Sequence, residues 1–107
     1  VTKVGGISEI IKISKLKKNN NRVVPHSPCF GPGFIATLQV IGALIPDSEI
    51  ERLYIDLKAD LYEGVNNIDK NGKIHIPNGP GLGIEPNIEI LEKFSQNKFN
   101  YTFMLDK

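Results

Sequence analysis

The stretch Arg22-Val23-Val24-Pro25-His26-Ser27-Pro28 constrains this chain more than any other, because it admits one short strand and then stops it. Val23 and Val24 are β-branched and suit a buried strand. Pro25 has no N–H to give to a ladder, so the strand ends near His26. A histidine at the C-terminal end of a strand stands where α/β sheets gather ligands and catalytic groups. The following loop, Ser27-Pro28-Cys29-Phe30-Gly31-Pro32-Gly33, is too rich in Gly and Pro for regular structure.

The flanking segments read as the helices and strands of the same sheet. Val1 to Val4 reads as the tail of a strand, broken by Gly5-Gly6. Ile7, Ile10, Ile11 and Leu16 keep helical spacing while Glu9, Lys12, Lys15, Lys17 and Lys18 fill the opposite face, which predicts an amphipathic helix from Ser8 onward, ended by Asn19 to Asn21. Phe34, Leu38, Ile41 and Ile45 mark a second helix, apolar all round and therefore expected to pack against more than one neighbour. Ile50 to Leu57 alternates as a strand does. Strand, helix, strand, helix, strand implies right-handed parallel crossovers. Further on, Asn71-Gly72 signals a hairpin turn, Lys73 to Pro77 a strand, Asn78 to Gly83 a loop, and Asn87 the cap of a short helix through Phe94. Tyr101 to Leu105 is apolar but fits no pattern.

Composition narrows the classes of function. With 107 residues the chain amounts to about one small domain. Lys plus Arg number 13 and Asp plus Glu 12, so a net charge of +1 makes no electrostatic case for nucleic acid or a membrane surface. The basic run from Lys12 to Arg22 is diluted by three asparagines and reads as a solvated helix end. A single cysteine, Cys29, excludes an internal disulfide framework and agrees with a reducing cytoplasm. No apolar run approaches the roughly 18 residues of a membrane span. The chain begins with valine rather than methionine, which admits a cut point at residue 1.

Four motifs then stand in a telling order: Lys3-Val4-Gly5-Gly6-Ile7, Val24-Pro25-His26-Ser27-Pro28, Ile50-Glu51-Arg52-Leu53, and Ile76-Pro77-Asn78-Gly79-Pro80-Gly81-Leu82-Gly83. Together they resemble the closing third of the mandelate racemase and muconate lactonizing enzyme family, within the enolase superfamily, over residues 1 to about 94. The resemblance implies an α/β fold, the C-terminal part of a modified TIM barrel with a separate capping domain. Residues 1–61 would be the last strands and helices of that barrel, and residues 62–107 a segment packing toward the capping domain. A complete barrel takes roughly 250 residues, so the expectation is a fragment of that fold.

The same resemblance implies the chemistry. Family members abstract the proton beside a substrate carboxylate, a Lys or His serving as base and one or two Mg²⁺ ions stabilising the ene-diolate. His26 matches the histidine base, ending the seventh barrel strand. A histidine ordinarily titrates near about 6.5, which suits taking and returning a proton at neutral pH. Glu51 matches the family's glutamate near the end of the eighth strand, which hydrogen-bonds the substrate carboxylate as an electrophile and must carry a proton to do so. The aspartate that orients the histidine in the family would fall one position ahead of Val1. The three acidic metal ligands belong to the third, fourth and fifth strands. The implied enzyme is a Mg²⁺-dependent racemase or dehydratase acting on a hydroxy or sugar acid, while this chain alone is expected to bind no Mg²⁺ and turn nothing over.

Other residues read more plainly. Lys3 lies past the position of the family's lysine base and reads as a loop or strand-end lysine. Glu49 competes with Glu51, and the Glu-Arg-Leu match favours Glu51. His75 alternates with Ile74 and Ile76 and is expected to face solvent. Cys29 lies in the loop beyond His26, where a Cys–His dyad would need a particular geometry. The glycine-rich run from Gly79 lacks the spacing of a dinucleotide or phosphate loop and reads as a rigid connection. The alternative to an enzyme segment is a non-enzymatic domain that buries open sheet edges by self-association. A homo-oligomer is expected on either reading, and neither nucleic acid nor membrane as a partner.

Overall fold

A computed structural model describes residues 1–16, 23–27, 29–44 and 48–96. Three helices organise them: α1 spans Ile7–Lys15, α2 spans Pro32–Leu44 and α3 spans Ile88–Phe94. No helix among the described residues is long and apolar enough to cross a membrane. Tyr101 to Leu105 and the chain from Lys17 to Arg22 lie outside the described residues, as does Ile45 of the expected second helix.

Helix α2 is the centre of the fold. Its sequence carries no charge, and Phe34, Ile35, Ala36, Thr37, Leu38, Val40 and Ile41 are all buried. The predicted two-sided packing is realised. On one side Val40 joins Ile10 of α1 and Val1; on the other Phe34, Ile35 and Leu38 pack with Tyr62 and Val65, flanked by Ile50, Leu61, Ile74, Leu82 and Ile84. The buried Thr37 is tolerated because its hydroxyl donates to the Gly33 carbonyl one turn back, at 2.8 Å. Helix α1 keeps Ile10 inward and forms an exposed Lys12–Glu9 ion pair at 2.7 Å on its outer face.

The expected strands fare differently, and a common physical cause runs through them. Val1 to Val4 is not the tail of a strand: Thr2–Val4 forms a 3₁₀ turn, with Val1 O accepting from Val4 N and from Gly6 N. Ile50 to Leu57 is not a strand among the described residues. Ile55 N bonds back to Leu53 O at 3.1 Å, a tight turn in its middle, and although Ile50 packs against the core, Leu53, Tyr54, Ile55 and Leu57 are all exposed. Residues 23–27, which hold the Val-Val-Pro-His run, likewise carry no ladder. A helix satisfies its backbone within itself, whereas a strand exists only through a neighbour's hydrogen bonds. The parallel crossovers expected from these segments are therefore not seen among the described residues.

The hairpin turn does form. Asp69 N donates to Lys73 O at 2.9 Å, Gly72 takes the positive φ of 76° that the turn demands, and Ile68 bridges Ile74 in antiparallel sense. The expected strand from Lys73 to Pro77 reduces to that one bridge. Asn87 caps α3 as predicted, its Oδ1 accepting from Ile90 N at 3.2 Å.

Candidate active site

Two segments without regular secondary structure meet at the residues singled out in the sequence. Residues 23–27 carry His26 and residues 48–57 carry Glu51, and Ser48 Oγ ties the two segments together by donating to Val23 O at 3.1 Å. The imidazole Nδ1 of His26 is hydrogen-bonded to Oε2 of Glu51, across 25 positions of sequence. Pro25 and Ser27, on either side of His26, are buried, so they anchor the backbone while the imidazole projects outward. The side chains of His26 and Glu51 are 56% and 50% exposed, which leaves the pair open to a ligand from solvent.

The other candidates are placed apart from this pair. His75 is exposed, with Nε2 3.9 Å from Asp69 Oδ2 at the hairpin turn. Cys29 pairs with Thr2, Sγ to Oγ1 at 3.4 Å, rather than with His26. Lys3 is exposed on the N-terminal 3₁₀ turn. Glu49 lines a separate cleft of about 550 Å³ beneath α2, shared with Arg52, Lys73, Leu38 and Ile41.

Two features went unread in the sequence. Gln39, on α2, donates from Nε2 to Pro77 O at 2.6 Å and to Leu82 O at 3.0 Å, and so clamps the glycine-rich loop. A long polar side chain alone in an otherwise apolar helix was the available signal. Ser27 Oγ, beside His26, is buried with no protein partner among the described residues, as are Arg52 Nε and Asn66 Oδ1.

The carboxyl of Asp69 is held below its ordinary range. The backbone N–H of Lys73 does most of this, followed by that of Asn71, each donating at 2.8 Å to the charged form. Among the described residues no three of His, Cys, Asp and Glu stand together as a metal site would require. These residues do not fit the Mg²⁺ that the family resemblance implies, and the chemistry below uses the chain's own groups.

Residues 1–90 match the family described as enolase C-terminal domain-like, the grouping of mandelate racemase and muconate lactonizing enzymes that the four motifs resemble. The D-galactarolactone cycloisomerase of Agrobacterium fabrum is 37% identical over 102 residues, covering 84% of this chain and 26% of that enzyme. The chain thus spans about a quarter of the length of the curated relative it matches. No solved structure matches it.

Proposed function

The chain belongs to the enolase C-terminal domain-like family, and on that premise we propose that it carries the acid/base corner of an enzyme acting on a hydroxy or sugar acid, or on its lactone. His26 is the group that takes the proton from the carbon beside the substrate carboxylate. Glu51 is the carboxyl group beside it. The observation that carries this reading is the His26–Glu51 hydrogen bond, which joins the two residues matched to the family's site and leaves both half exposed. Racemisation, dehydration and lactone isomerisation share that first proton abstraction, and similarity to a D-galactarolactone cycloisomerase supports a sugar-acid lactone as substrate.

The chemistry asks little of these residues individually. An imidazole whose second nitrogen is held by a carboxylate presents its free nitrogen in one orientation, so proton transfer needs no search for geometry. The α-proton of a carboxylate is weakly acidic, so its abstraction also requires electrostatic stabilisation of the charge that develops.

The direct test is a chimera in which residues 1–90 replace the matching stretch of the A. fabrum cycloisomerase, assayed for deuterium uptake at the α-carbon of sugar-acid lactones. Uptake is expected, and His26→Asn should abolish it in a chimera that still folds. Uptake that survives His26→Asn would sink the assignment.

A second reading, a self-associating module, draws on one observation: Tyr54 is 94% exposed, beside exposed Ile55 and Leu57. The partner on that reading is a second copy of this chain. Sedimentation at micromolar concentration should then show association that Tyr54→Ser weakens, and a monomer throughout would dismiss it.

A further inference from the structure

We draw no further inference here: the strongest candidate, the apolar groove between α3 and residues 57–61, lined by Leu57, Ala59, Leu61, Ile90, Leu91 and Phe94, lies open in a chain that spans about a quarter of its curated relative, and nothing in the structure shows what covers it.

Discussion

The side-chain amide of Gln39 donates to the carbonyl of Pro77 at 2.6 Å, reaching from the central helix to a loop 38 residues further along the chain. A second bond to Leu82 O at 3.0 Å makes it a clamp across both ends of that loop. Within the loop, Gly79 N donates to Gly83 O and Gly83 N to Pro80 O, so the run that reads as a rigid connection is closed on itself and pinned to α2.

Replacing Gln39 by methionine keeps the volume of the side chain and removes both donors. Two carbonyls then lose their protein partner, and stability should fall by about 1–3 kcal/mol. Urea denaturation gives the number, and amide exchange should show the loss concentrated in residues 77–83. A uniform change over the chain would count against a local clamp.

Gly83 has φ of +93°, and a Cβ there would stand 2.5 Å from Pro77 O. Gly83→Ala meets both a strained backbone and a backbone oxygen that cannot swing aside. The expected cost is about 1–3 kcal/mol from the backbone strain alone, measured by the same denaturation. Gly31→Ala, where φ is not left-handed and the added carbon meets open space, is the control expected to change little.

Phe34 is 1% exposed at the centre of the larger core cluster, between α2 and the Tyr62–Val65 turn. Phe34→Ala should cost about 3–5 kcal/mol. In a chain of this size that is a large part of a typical total of roughly 5–15 kcal/mol, so the thermal transition should broaden or vanish.

The hairpin turn should be sensitive to acid. Asp69 is held below its ordinary value of 3.8 by hydrogen bonds that its charged form accepts from Lys73 N and Asn71 N. A carboxyl depressed in the folded state stabilises the fold above its unfolded pKa, and that contribution is lost as pH falls through the folded value. The amide resonances of Asn71 and Lys73 should therefore stay constant at neutral pH and move only below about pH 4. Asp69→Asn keeps an acceptor oxygen for both N–H groups and should remove this transition.

How much of this was legible depends on how local each feature is. Helices α1, α2 and α3, the Asn87 cap and the Gly72 turn are readable from their own residues, because a helix pairs its backbone within a few positions and a cap or tight turn spans fewer still. The apolar circumference of α2 foretells packing on two sides, though not the partners Tyr62 and Val65 on one side and Ile10 on the other. The His26 and Glu51 motifs could be matched to a family one at a time.

What the sequence by itself determined is therefore the helical frame, the central place of an apolar α2 and the family, with His26 and Glu51 as candidate side chains. Tertiary structure alone decided that Glu51 turns its carboxylate onto His26 Nδ1, that Gln39 holds the Pro77–Gly83 loop, and that Val23 to Ser27 and Ile50 to Leu57 carry no ladder among the described residues. The reason is the range of the forces concerned. Helix propensity and turn chemistry act over a few residues, whereas a side-chain hydrogen bond across 25 positions, or a strand's ladder, exists only once the chain has brought distant backbone together.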